Sequence, residues 1–273
     1  MNFHSAYCRS EARSNESLVV PSNVPTQVLG VIPARLASTR FPAKALAPLH
    51  GKPILRHVWE RASQARYLQH LVIATDDDTI AAVARKFGAD VRMTSSHHQS
   101  GTDRVAEAAA AFSHPLVVNI QGDEPLIDPA AIDAAVLTLL DDEEAPMGTL
   151  AKRIEDFSEI MNPNVVKVVM GRDGRALYFS RSPIPYDRGG GAVYFKHIGL
   201  YVYRREFLLE YSSLPMGPLE KVEKLEQLRA LENGYTIKVA ETEYESWGVD
   251  TPEDLVRVEQ LFETRGVWPS TSS

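Results

Sequence analysis

The sequence predicts an α/β fold: a mostly parallel central sheet with helices on both faces, plus a smaller mixed or antiparallel part in its second half. Three observations lead there. Short apolar runs at Val28–Ile32, Leu71–Thr75 and Leu116–Ile120 have the length and composition of buried strands. Between them lie segments with apolar residues at helical spacing, long enough to serve as crossovers. Each apolar run then ends in polar or charged residues, where an open α/β sheet gathers its ligand groups.

The 273 residues are 44% hydrophobic and 24% charged, enough for a sizeable core. A formal net charge of -7 leaves no broad basic face for nucleic acid, so any polyanion must be met by a local pocket. No apolar run approaches the roughly 20 residues that a membrane-spanning helix needs. Cys8 is the only cysteine, which excludes internal disulfides and thiolate zinc sites and fits a reducing, cytoplasmic compartment. Residues 1–26 lack periodicity and the apolar core of a secretory signal, and read as a disordered extension. Residues 266–273 read as a frayed tail.

Taken in order, Val28–Ile32 breaks at Pro33 into a small cationic loop. Arg35, Arg40 and Lys44 put three positive charges there, while Ala34, Ala37, Ser38 and Ala43 keep it low enough for backbone N–H groups to approach an anion. Ile54, Leu55, Val58 and Trp59 have helical spacing, with Pro53 suited to a first turn. A strand to Asp76, a helix over Thr79–Phe87, a strand over Ala89–Met93, a helix over Asp103–Phe112 and the strand Leu116–Ile120 continue the alternation. Further on, Val165–Val169, Ala176–Arg181 and His197–Tyr203 read as strands joined too closely for crossover helices, so antiparallel pairing is expected. Gly189-Gly190-Gly191 marks a loop tip. Pro218–Asn233 reads as one long helix framed by Pro218 and Gly234. Thr236–Ala240 is a strand and Pro252–Glu263 a closing helix.

The chemistry concentrates in two acidic loops. Gln121-Gly122-Asp123-Glu124-Pro125 follows a strand directly, so its acids emerge at the carboxyl edge of the sheet. Carboxylates there, opposite a cationic loop, suit a magnesium-triphosphate site: hard oxygen ligands for the metal, cations for the remaining charge. Taken alone, a turn cap explains Asp123 equally well. Asp250, in Gly248-Val-Asp-Thr-Pro-Glu-Asp254, could likewise cap the closing helix. Asp77 and Asp78 read as favourable charge at a helix N-terminus. His97 and His98 are adjacent, and sequence neighbours seldom aim at one ion.

The run Val31–Lys44 closely resembles the opening motif of the sugar-activating cytidylyltransferases, above all those that act on the acidic sugar 3-deoxy-manno-octulosonate (Kdo). At least six signatures recur in the family order between residue 28 and about 262, including Gln121–Pro125, Ala176–Pro185, Lys196–Tyr201 and Gly248–Asp254. The resemblance implies a Rossmann-like nucleotidyltransferase fold in one domain over 27–265, with a sugar-binding and dimerisation sub-domain at roughly 162–217. It also implies transfer of CMP from CTP to the anomeric hydroxyl of Kdo, with pyrophosphate released, for lipopolysaccharide synthesis, in a homodimer. Mg²⁺ would be held by Asp123 and Asp250, which with Arg35 and Lys44 form the implied catalytic set. Ala34, Arg35, Arg40, Lys44, Thr75, Asp76, Gln121 and Gly122 would bind the nucleotide; Arg181, His197, Tyr201 and Glu220 would line the sugar pocket. Arginine and histidine are expected to supply charge for the sugar carboxylate, tyrosine and a carboxylate to bind its hydroxyls.

His98 and Ser100 sit on matching positions and are assigned to loop structure or a wall of the sugar site. Two departures stand out: Ala43 replaces the usual glycine of a Pro-Gly-Lys turn, where φ > 0 is expected, and Leu36 stands where an aromatic is frequent. Activation of another acidic sugar, an amino analogue of Kdo or a sialic acid, remains an alternative, as does a non-catalytic nucleotide-binding homologue. Neither Gly-x-Gly-x-x-Gly nor a P-loop motif occurs, which disfavours a dehydrogenase or a P-loop nucleotidase.

Overall fold

The computed structural model describes residues 27–36, 40–98 and 100–265. The assignments to residues 1–26 and 266–273 lie outside them. Strand β1 (Val28–Ala34) leads through a 3-10 turn (Lys44–Leu46) and a small ribbon, β2 (Pro48–Leu49) and β3 (Lys52–Pro53), into α1 (Ile54–Ala62). The alternation continues with β4 (Leu68–Thr75), α2 (Asp78–Lys86), β5 (Asp90–Met93), α3 (Gly101–Ala110) and β6 (Leu116–Asn119). Next come α4 (Pro129–Leu140), β7 (Met147–Arg153) and α5 (Phe157–Met161), in a stretch for which the sequence predicts no element. The reason is visible in α4, which is apolar almost all round and so shows no amphipathic stripe. The chain then forms β8 (Lys167–Met170), β9 (Ala176–Ser180), β10 (Phe195–Arg204), α6 (Arg205–Tyr211), α7 (Pro218–Glu223), α8 (Leu228–Glu232), β11 (Ile237–Glu241) and α9 (Pro252–Arg265).

Nine strands make one sheet, in the order β11-β7-β10-β6-β1-β4-β5, with β8 and β9 added beside β10. β1 is central and parallel to both neighbours, paired with β4 as far as Ala34–Thr75 and with β6 only as far as Val31–Asn119. β10 runs antiparallel to β6 and β7, and its first residues also pair with β8. The antiparallel part is therefore continuous with the parallel part through one long strand. Side chains alternate across the sheet. Val28 and Ile32 of β1 enter a core with α1, α4 and α9, whereas Leu29 and Val31 enter the opposite core with α3 and α6.

One expected element is corrected. The single helix over Pro218–Asn233 is two short helices, α7 and α8, broken where Lys224 turns left-handed at φ 55°. The break releases backbone carbonyls that Arg181 collects: its Nε donates to Glu223 O at 2.7 Å, and a terminal nitrogen reaches Lys224 O at 3.4 Å. Glu223 in turn accepts hydrogen bonds from Ser180 Oγ and Arg181 N. A hydrophobic stripe continuous across the break hides it from the sequence.

Lys167, at the start of β8, is fully buried, and its ammonium donates to the carbonyls of Asn162, Val165 and Arg181. These bonds tie the segment before β8 to the end of β9. Lys167→Met fills the same space but leaves buried carbonyls unpaired. Urea denaturation should show a loss of about 2–3 kcal/mol, the cost expected for orphaned buried acceptors; a wild-type midpoint would show that the lysine is dispensable.

Candidate active site

The site begins where β1 and β6 part. Pro33 has no N–H to give, and the β1–β6 ladder ends two residues before it, while pairing with β4 continues to Ala34. Beyond that point the loop after β6 crosses over Pro33. A side chain at Gly122 would place its Cβ 2.7 Å from Pro33 O, so glycine is required for this close approach. On the other side of the opening, Ala43 adopts φ 56°, ψ 26°, the left-handed conformation expected of the glycine it replaces. Its N–H donates to Leu36 O at 3.1 Å, closing the loop and starting the turn that carries Lys44.

Lys44 is the centre of the site. Its ammonium donates to Asp123 Oδ2 at 2.5 Å and to Asp250 Oδ1 at 2.8 Å, and Arg40 donates to Asp250 Oδ2 at 2.9 Å. Two carboxylates far apart in sequence thus meet on one cation from the basic loop. Neither is used as a cap. Thr251 and Asp254 cap α9 reciprocally: Asp254 N donates to Thr251 Oγ1, and the backbone N–H groups of Asp250 and Thr251 donate to Asp254 Oδ2. That arrangement leaves the Asp250 carboxylate free to face Lys44. Burial pushes the Asp250 carboxyl up, but the hydrogen bonds and charges of Lys44 and Arg40 outweigh it and leave the group below its ordinary value. For Lys44, burial works to lower the pKa and the two aspartates overcome it, so the group is raised and stays charged.

A cleft of about 550 Å³ opens around this cluster, lined by Ala34, Arg35, Arg40, Lys44, Gln121, Gly122, Asp123 and Asp250 among others. Six expected nucleotide-binding positions therefore share one cavity. Thr75 and Asp76 do not line it: Thr75 is fully buried with its hydroxyl accepting from Asp77 N, and Asp76 pairs with Arg104 at 3.2 Å. Asp77 caps α2 by accepting from Ile80 N, as expected. His98 and Ser100, expected in loop structure or a wall of the sugar site, line this cleft; Ser100 also caps α3, and His98 pairs with Glu107.

A second, larger cavity of about 1170 Å³ adjoins the first and shares Gln121 and Asp250 with it. Arg181, His197 and Tyr201 line it. The state of His197 differs from expectation. Burial pulls the His197 imidazolium down to about 3, and its Nε2 lies 3.0 Å from Thr149 Oγ1, so it is neutral and supplies no charge for a sugar carboxylate. Burial pushes the Tyr201 phenol well up, leaving a neutral hydroxyl. A bulge between Ile198 and Tyr201 sets their register against β7. Glu220 is absent from the lining: it is buried on α7 and gripped in a bidentate pair by Arg229, at 2.8 and 2.6 Å.

Comparison with known proteins agrees with this geometry. Residues 29–239 match the family model described as cytidylyltransferase. The 3-deoxy-manno-octulosonate cytidylyltransferase of Solibacter usitatus is 64% identical over 241 residues, covering 88% of this chain and 96% of that protein. The protein of the same name from Geobacter sulfurreducens is 52% identical, with 85% and 97% covered. This chain belongs to the 3-deoxy-manno-octulosonate cytidylyltransferase family. A solved CMP:2-keto-3-deoxy-manno-octonic acid synthetase complexed with CTP superposes with a TM-score of 0.85 at 41% identity, covering 88% of this chain and 99% of that one.

In this member of the cytidylyltransferase family, several site residues escape the sequence reading. Arg104 lines the smaller cleft with only 4% exposure, held by Asp76 and Thr94. Its signal was its place four residues beyond Ser100, a position that matches the family. Lys196 lines the larger cavity between Glu159 and Glu245, at 2.7 and 2.5 Å, and Gln227 lines it with 4% exposure. Lys196 opens the Lys196–Tyr201 signature, whereas Gln227 carried no motif signal. Glu124, next to Asp123, is buried; burial, with the charge of Asp123, pushes its carboxyl up to about 7 against the nearby Ser246 and a hydrogen bond from Tyr244.

The residues present fit a magnesium ion. Asp123 and Asp250 offer hard oxygen donors convergent enough to share one ammonium; they are only two, since among the described residues no group of three or more His, Cys, Asp or Glu could hold a metal by itself. That donor set suits Mg²⁺, which commonly takes one or two carboxylates and completes its shell with substrate phosphates and water. Relieving the strain at Ala43 is a separate, testable matter. Ala43→Gly removes the left-handed penalty on a Cβ, of about 1–2 kcal/mol, against a smaller entropic loss. Urea denaturation should show a gain of about 0.5–1 kcal/mol; a loss of stability would show that the alanine is not strained.

Proposed function

We propose that this chain transfers CMP from CTP to the anomeric hydroxyl of Kdo, in a Mg²⁺-dependent reaction of the cytoplasm that supplies lipopolysaccharide synthesis. The observation that carries the reading is the convergence of Lys44, Asp123 and Asp250 where the two cavities meet. The smaller cleft, with its four cations Arg35, Arg40, Lys44 and Arg104, suits a triphosphate. The larger one is polar and offers neutral hydrogen-bonding groups for a polyhydroxylated sugar. Gln121, on both walls, donates to Gly199 O at 3.0 Å and fixes the border between them.

Phosphoryl transfer of this kind asks for alignment and charge neutralisation more than for covalent chemistry. The sugar hydroxyl attacks the α-phosphorus, the bond to the β-phosphate oxygen breaks, and pyrophosphate leaves with the electron pair. Arg35, Arg40 and Lys44 neutralise the triphosphate and hold it in line with the adjoining cavity. Mg²⁺, when bound by Asp123 and Asp250, would add Lewis acidity at the phosphates and lower the pKa of the attacking hydroxyl. His197 enters as a neutral hydrogen-bond partner, so the sugar carboxylate falls to Arg181, Lys196 or another cation of the wall. A homodimer is part of the same proposal, supported by the exposed apolar side chains Leu177, Leu219 and Val222 on β9 and α7. No helix among the described residues is long and apolar enough to cross a membrane.

The direct test is pyrophosphate release from CTP with a panel of acidic sugars. Release with Kdo, and little with a sialic acid, is expected; equal rates would remove the sugar assignment. Asp123→Ala should lower turnover at saturating Mg²⁺ by at least about a hundredfold, the scale on which electrostatic transition-state groups act, while circular dichroism stays native. A variant with the wild-type rate would refute the role of Asp123.

A further inference from the structure

Asp123 and Asp250 sit on loops that follow β6 and β11, strands separated in the sheet by β10 and β7. Carboxylates that share a metal must be held to within about 0.5 Å, and a loop does not provide this unless something braces it. We propose that Glu124 is a positioning residue: its buried carboxylate, held by Tyr244, clamps the Asp123 loop to the Asp250 loop and sets the spacing at which the two aspartates receive a divalent cation. The proposal rests on the metal reading given above.

Glu124 is 6% exposed and lines neither the nucleotide cleft nor the larger cavity. Its neighbour Asp123 does line the nucleotide cleft. Tyr244 Oη donates to Glu124 Oε2 at 2.8 Å, and Ser246 lies near enough to favour the charged carboxyl. Both residues lie on the loop that continues into Gly248–Asp250. A parallel backbone contact, Val249 N to Asp123 O at 2.9 Å, joins the same two loops. The phenol is itself fixed: its ring packs against the core beside α4, and Tyr244 N donates to Thr242 Oγ1 at 3.1 Å.

Stability alone does not account for an acid at this place. Burying a carboxylate whose partner is a hydroxyl rather than a cation is costly, and an apolar or amide side chain would fill the space with less desolvation. A carboxylate does offer two oxygens with lone pairs in fixed directions, so it can hold the Tyr244 hydroxyl of the other loop at a defined distance. Groups that orient metal ligands in this way commonly change metal affinity by 10–100-fold when removed.

The test is Mn²⁺ binding to the full chain, followed by the electron paramagnetic resonance signal of the free ion, for the wild type, Tyr244→Phe and Asp123→Asn. Tyr244→Phe removes only the donor oxygen. Its Mn²⁺ affinity should fall about tenfold, while CTP affinity in EDTA, measured by calorimetry, stays at the wild-type value. A purely structural role would move both affinities or neither, and either result overturns the clamp. Ser246→Ala, a smaller change, should weaken Mn²⁺ binding in the same direction and carries the comparison if Tyr244→Phe does not fold. Should the wild type bind no Mn²⁺ that Asp123→Asn abolishes, the metal reading itself fails; should it bind and Tyr244→Phe match it, only the clamp fails.

Discussion

The constraint behind the whole site is the repulsion of two carboxylates that the fold forces together. Asp123 and Asp250 arrive from different ends of the chain and face one another across a narrow opening. In the protein alone the Lys44 ammonium stands between them and makes the arrangement tolerable. Much of the surrounding structure can be read as what is needed to bring these three side chains to one point. Pro33 ends the β1–β6 ladder and Gly122 lets the next loop cross it; the left-handed turn at Ala43 aims Lys44 back at the opening; and Thr251 with Asp254 relieves Asp250 of capping duty. The ammonium is also a stand-in for a positive charge at the place where a divalent ion and a triphosphate would compete with it.

The second cavity depends on a different device, the interruption between α7 and α8. A continuous helix there would satisfy its own carbonyls and take two of the three carbonyls that the Arg181 guanidinium uses, leaving Pro163 O. By breaking at Lys224, the chain presents carbonyls to Arg181 and a carboxylate, Glu223, to Ser180, so that the wall of the cavity is fixed by hydrogen bonds at one point. The same break brings Lys224, Leu225 and Gln227 onto the lining. Arg181 therefore serves the wall and faces the cavity at once, whereas Glu220 is committed to Arg229.

How much of this could be read from the residues varies with the kind of signal. The parallel half was legible because its buried strands end in polar loops, and those loops hold Arg35, Lys44, Gln121 and Asp123. The choice of Asp250 over a mere cap was legible only through resemblance, since its local sequence offers capping at least as readily; the structure shows Thr251 and Asp254 performing it. Ala43 was legible as an anomaly, and its φ bears this out. The element α4 was not legible, because an all-round apolar helix carries no period. The helix break at Lys224 was hidden by apolar positions that keep their spacing across it. Charge states were out of reach: that His197 is neutral follows from its burial beside Thr149, which no motif encodes; Thr75 and Glu220, assigned by resemblance, lie off both linings.

The central claim, that a divalent ion sits between two acids and a triphosphate, is most directly tested by locating the ion. Crystals grown with CTP and Mn²⁺, measured at the manganese absorption edge, should give an anomalous peak within coordination distance of both Asp123 and Asp250, with Lys44 displaced from between them toward the phosphates. A peak away from both carboxylates, or an undisturbed Lys44 bridge with the nucleotide bound, would contradict the account.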